Sequence, residues 1–185
     1  DQITHRGTTL VRGVQDDVAA EIRKMGANFN PEILAATRDL YLPLLKALDW
    51  DGIKIVSDIQ YGDDQERNLL DVHVADDKPP APVPVVLFFH GGGFVEGRKN
   101  TEGEYVFGNV ANYFAGNGMI GVNATYRLAP GAPWPAGAED VGAAVAWARA
   151  NIAEYGGDPE RIYVIGHSAG AAHVAAFALH KELQP

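Results

Sequence analysis

The chain contains no cysteine. Disulfides, thiolate metal sites and cysteine nucleophiles are therefore excluded, although the redox compartment is not fixed by this. Basic residues are scarce: 15 Lys and Arg stand against 24 Asp and Glu, for a net charge of −9. That argues against a nucleic-acid or anionic-membrane partner, because phosphate contacts need clustered Lys and Arg. No apolar run approaches the roughly 18 residues of a membrane span. No basic-then-apolar leader follows Asp1, so any signal is expected to have been removed or never to have existed. Internal repeats and low-complexity tracts are missing as well. Glycine, by contrast, is abundant, at 21 of 185 residues. Its usual share is roughly 7%, and the excess favours a loop-rich α/β protein. A hydrophobic share of 46% with 21% charged residues is ordinary for a globular chain. The length suits one domain, or most of a larger one.

Along the chain, residues 14–48 read as helical. Val18, Ile22 and Met25 keep a helical spacing, and Gly26 ends that stretch. Asn30 has the character of an N-cap, with Pro31 at the first helical position. Leu34, Tyr41, Leu44 and Leu48 supply an apolar face, which Pro43 is expected to kink or end. Two alternating segments follow, Ile53–Tyr61 and Leu70–Val74. The polar stretch Gly62–Arg67 between them suits an antiparallel hairpin. In the second segment His73 alternates onto the polar side and is expected to be solvated.

After the proline-rich loop 75–84 the pattern changes. Val85–Phe89, Met119–Ala124 and Arg161–Ile165 are continuously apolar, as parallel strands buried on both faces are. Ile162–Ile165 leave no polar face for solvent. Val106, Val110 and Tyr113 mark one intervening helix; Val141, Val145, Ala148 and Ile152 mark the next. A last helix is expected over Ala169–Leu183. Alternating strands and helices predict an α/β sheet with right-handed crossovers.

Two motifs carry chemistry. Gly166-His167-Ser168-Ala169-Gly170 fits G-x-S-x-G between a strand-like and a helix-like segment. A Ser at such a turn is forced into strained geometry and exposed above the C-terminal edge of the sheet. It also stands at a helix N-terminus, whose dipole favours developing negative charge. The bland alternative is a small-residue turn with a helix-capping Ser. His90-Gly91-Gly92-Gly93-Phe94 directly follows the strand Val85–Phe89. Consecutive glycines expose backbone N–H groups that can donate to an oxyanion. A flexible turn or a phosphate loop is the alternative, but no Gly-Lys-Ser/Thr follows.

These motifs, with YRLAP at 126–130, WPAGAEDV at 134–141 and GGDPERI at 156–162, resemble the hormone-sensitive-lipase-like carboxylesterase branch of the α/β-hydrolase superfamily. The resemblance covers residues 53–183, and the preceding region resembles the branch's helical N-terminal cap segment. His167 departs from it, since Asp more often precedes the nucleophile there. The resemblance implies an α/β-hydrolase fold: a predominantly parallel sheet, an antiparallel N-terminal hairpin and a helical cap segment, with the C-terminal strands absent from this chain. Residues 1–50 would be the cap segment, and 51–185 the N-terminal part of the catalytic domain. Ser168 would be the nucleophile. The backbone N–H groups of Gly92, Gly93 and Ala169 would form the oxyanion hole. Phe94 would line the acyl or alcohol pocket, and His90 would brace the glycine loop. Arg127 is expected to be charge-paired near the sheet end, and Asp140 to fix the start of the following helix. No metal or organic cofactor is implied.

A serine nucleophile needs a base, and the base an orienting acid. In this superfamily both follow the Ser. His173, His180 and Glu182 are the only such residues after Ser168. All lie on the helix leaving the elbow, whose side chains project sideways from the hydroxyl at its end. A two-His metal site at 173 and 180 lacks a third ligand. The expectation is that this chain is the front part of a longer protein. A second polypeptide, a second copy or a C-terminal segment would supply the acid and the His. It would also pair the strand Arg161–Ile165, which is central in the superfamily's sheet. The function expected is a serine carboxylic ester hydrolase acting through an acyl-enzyme on small to medium acyl esters. A catalytically dead ligand-binding receptor on the same fold is the alternative, and a stand-alone interaction module ranks behind both. The sequence names no compartment; a soluble protein is expected, the cytoplasm ahead of elsewhere.

Overall fold

The structure, a computed structural model, describes residues 2–5, 8–11, 16–77, 79–101 and 105–184. Two short strands, β1 (Gln2–His5) and β2 (Thr8–Val11), pair antiparallel at the start. The helix α1 (Asp16–Met25) ends at Gly26, which adopts φ +71°. The expected helical start at 14–15 lies outside the described residues. The Asn30 side chain accepts the Ile33 N–H at 2.9 Å and caps α2 (Pro31–Lys46). Pro43 does not end α2 where expected. The helix runs three residues further, and the Pro43 carbonyl accepts the Ala47 N–H.

A five-stranded sheet forms the body, in the order β3 (Ile53–Gln60), β4 (Leu69–Ala75), β6 (Ile120–Ala124), β5 (Val83–Phe89), β7 (Gly157–Gly166). The strands β3 and β4 make the antiparallel hairpin, with a bulge between Val56 and Ile59. β6 pairs antiparallel to β4 but parallel to β5, and β5 is parallel to β7. The apolar runs of β5 and β6 become buried parallel strands because helices cover them on both faces. α4 (Ala136–Asn151) and α5 (Ala169–Leu179) pack on one face, and α3 (Gly108–Gly116) on the other. Leu70, Val72, Val85, Leu87, Phe89 and Val122 fill the core beneath α4 and α5.

Several expectations are corrected here. His73 is buried, not solvated, because α3 covers the face onto which it alternates; its Nδ1 lies 2.7 Å from Asn112 Oδ1. Among the described residues β7 is an edge strand, with one side left unpaired as expected of a strand that is central only in the superfamily's full sheet. Consequently Tyr163 and Ile165 do have a solvent face, and are 57% and 36% exposed. Val106 precedes α3, and Tyr113 is 46% exposed; α3 instead turns Ala111 and Ala115 inward. The last helix stops at Leu179 rather than Leu183, and a separate 3-10 turn follows over Lys181–Leu183. Among the described residues no helix is long and apolar enough to cross a membrane.

Candidate active site

The site is built by the register of two neighbouring strands. Phe89 is the register partner of Gly166 across the parallel pair β5 and β7. The two strands therefore finish level, and the segments leaving them, His90–Phe94 and His167–Gly170, emerge side by side at one edge of the sheet. The His167 N–H donates to the Phe89 carbonyl at 3.0 Å, which continues the ladder one residue past the strand. The chain then turns sharply into α5. Ser168 takes φ +51° and ψ −116°, which a residue with a Cβ adopts only at a cost of about 1–3 kcal/mol. Ser168 is exposed, whereas Ala169 and Gly170 behind it are buried. The elbow needs glycine at 170: a Cβ there would overlap the Phe89 carbonyl oxygen.

The glycine loop has its own constraints. Gly92 adopts φ +141°, and a Cβ there would overlap the Glu96 carbonyl oxygen. Its own carbonyl accepts the N–H groups of Val95 and Glu96, at 3.1 and 3.0 Å. Gly93 has φ +57° in open space. Among the described residues, the N–H groups of Gly92, Gly93 and Ala169 donate to no protein acceptor. Phe94 follows at φ +70° and is 43% exposed.

His90 lies fully buried beneath the loop. Its Nδ1 donates to the Gly91 carbonyl at 2.7 Å, which leaves Nε2 an acceptor with no partner among the described residues. Burial holds its pKa down to about 4, so the ring is neutral near pH 7. Tyr126 stacks on it at 4.4 Å between centroids and donates its hydroxyl to the His90 carbonyl at 2.8 Å. Arg67, from the turn between β3 and β4, donates to the carbonyls of Tyr126 and Gly97 at 2.9 and 2.8 Å. Sequence reasoning missed Arg67, for a lone Arg in a polar turn carries no signal of its own.

Arg127 is charge-paired as expected, with Asp140 at 2.9 Å and Glu139 at 3.1 Å. Asp140 does not start α4. It is the fifth residue of that helix, nearly fully buried, and it accepts from the backbone N–H and Nε of Arg127. His173 and His180 are not brought together as a site. His180 caps the C-terminus of α5 and pairs with Glu182, whereas His173 is buried against Tyr126 and Phe94. Among the described residues there is no group of three metal-ligating side chains. Nor does Ser168 share a hydrogen bond with a histidine there.

Comparisons with known proteins bear on the family and the fold. The BD-FAE family model matches residues 70–184, more than half of the chain. Esterase LipC of Mycobacterium tuberculosis (strain ATCC 25618 / H37Rv) is 41% identical over 120 residues, which cover 65% of this chain and 28% of that protein. The solved structure of a bacterial heroin esterase superposes with TM-score 0.62 at 30% identity, over 90% of this chain and 53% of that one. Esterase B from Lactobacillus rhamnosis gives TM-score 0.65 at 18% identity, over 91% and 53% respectively; this likeness is one of fold. The chain thus spans under a third of the curated relative and about half of the solved structures.

Proposed function

Since the chain belongs to the BD-FAE family, an esterase-type α/β-hydrolase domain, we propose that it is the Ser-bearing part of a serine carboxylic ester hydrolase. Within the superfamily the motifs favour the hormone-sensitive-lipase-like branch. Residues 1–50 serve as the cap segment and 51–185 as the N-terminal part of the catalytic domain. The Ser168 hydroxyl attacks the acyl carbonyl carbon of a small to medium ester while its proton passes to a base. The negative oxygen of the tetrahedral intermediate is held by the N–H groups of Gly92, Gly93 and Ala169. The C–O bond to the alcohol breaks, the alcohol departs with the proton, and an acyl-serine remains. Water then adds to the acyl group and releases the acid. The base and its orienting acid come from a C-terminal segment or a second polypeptide.

The observation that carries this reading is the alignment of Phe89 with Gly166. It supports a hydroxyl and a set of free N–H donors working on one carbonyl. The test is Ser168→Ala in the complete protein. The hydroxyl is small and exposed, so folding should be unaffected while ester turnover is lost. Turnover above about a thousandth of wild type would point to another nucleophile, since a triad member normally counts for more.

A further inference from the structure

Beside the elbow lies an open cleft of about 470 Å³. Phe94, Trp134, Ala172 and Ala176 give it apolar walls, and Arg127 and His173 are its polar members. It begins one turn from the candidate nucleophile, for the Ala172 N–H donates to the Ser168 carbonyl at 3.1 Å. Arg127 is occupied by Asp140 and Glu139. His173 is different. It is 7% exposed, yet among the described residues neither ring nitrogen has a hydrogen-bond partner.

The ring is held firmly all the same. Tyr126 and Phe94 meet it edge-on, at 4.7 and 5.2 Å between centroids. On the α4 side Gly137 makes room, since a Cβ there would overlap the ring. Packing alone would be served as well by an apolar side chain. An imidazole instead leaves two polar nitrogens that no group among the described residues bonds and that are not sealed from solvent, so a group entering from outside can reach them. Burial also pushes the ring toward its neutral form, which presents one donor and one acceptor.

We propose that this cleft is a substrate subsite for an apolar acyl or alkoxy group carrying one hydrogen-bonding oxygen, which His173 binds. The inference rests on Ser168 being the nucleophile, since that places the reacting carbonyl at the mouth of the cleft. His173 is a specificity-determining residue here, and takes no proton from Ser168.

The test compares kcat/KM for two matched pairs of esters in the complete protein. One pair varies the acyl half: 4-nitrophenyl hexanoate and 4-nitrophenyl 5-oxohexanoate. The other varies the alcohol half: pentyl acetate and 4-oxopentyl acetate. The oxo ester should be preferred about three- to tenfold in whichever pair puts its ketone in the cleft, the range for one neutral hydrogen bond. His173→Phe keeps the packing and removes the bond, so the preference should fall to about one. Ala176→Phe fills the cleft from α5 and should erase it too, which covers the case that the first variant does not fold. No preference in either pair, or a preference surviving both variants, overturns the proposal. Fluorophosphonate labelling of Ser168 in the same samples separates the two readings. Labelling without a preference removes the subsite alone; hydrolysis without labelling removes the nucleophile.

Discussion

His167 donates its backbone N–H to the carbonyl of Phe89 at 3.0 Å. This bond joins the first residue after β7 to the last residue of β5, and thereby ties the two loops that bear the candidate chemistry. The Ser elbow and the glycine loop cannot drift apart without losing a ladder bond at the end of a buried strand. Position within the site is set by strand register rather than by contacts between the loops' side chains.

Gly170→Ala should break this arrangement. The added Cβ would overlap the Phe89 carbonyl oxygen and come within 2.5 Å of the His90 carbonyl oxygen, both of them backbone atoms that cannot swing away. Overpacking of this kind typically costs about 1–3 kcal/mol. A denaturant titration should show that loss, and esterase turnover should fall by more than the loss of folded protein explains. Wild-type turnover would mean that the elbow tolerates displacement from β5.

The glycines of the loop should respond unequally. Gly92→Ala meets both an unfavourable φ of +141° and overlap with the Glu96 carbonyl oxygen, whereas Gly93→Ala at φ +57° meets open space. The left-handed conformation alone costs roughly 1–2 kcal/mol. The melting temperature should therefore drop further for Gly92→Ala than for Gly93→Ala. The reverse order would contradict the loop geometry.

Stability should fall as the pH is lowered from about 6.5 to about 4. His90 is held at about 4 by burial, against 6.5 when exposed. Above pH 6.5 it is neutral in both states and has no effect. Below that, the unfolded chain takes up a proton that the folded one refuses, on the order of 3 kcal/mol in favour of unfolding by pH 4. Burial pushes His73 and His173 in the same direction. Denaturation midpoints at pH 7.5, 5.5 and 4.5 should decrease in that order, and a flat profile would contradict a buried neutral His90.

Much of the site was legible in the sequence because glycine patterns report backbone demands directly. Gly92 and Gly170 stand where a Cβ would strike main chain, and such requirements survive into the sequence as motifs. The hairpin, the Asn30 cap and the apolar parallel strands were legible for similar local reasons. Coverage was not. The alternation of β4 assigns His73 to a face but cannot say that α3 lies over it. The apolar run of β7 suggests burial on both faces, yet among the described residues Tyr163 stays 57% exposed on an edge strand. His173 escaped for a related reason: its surroundings come from the glycine loop, the β6–α4 connection and α4, three separate stretches of chain.

The central claim is that Ser168 is acylated beside the glycine loop, and covalent labelling of the complete protein tests it most directly. The protein is titrated with a fluorophosphonate, and the modified residue is identified by peptide mass mapping. One equivalent should be incorporated at Ser168, in step with loss of ester hydrolysis, and none in the Ser168→Ala variant. A hydrolytically active protein that takes the label at another residue, or keeps its activity unlabelled, would contradict the account.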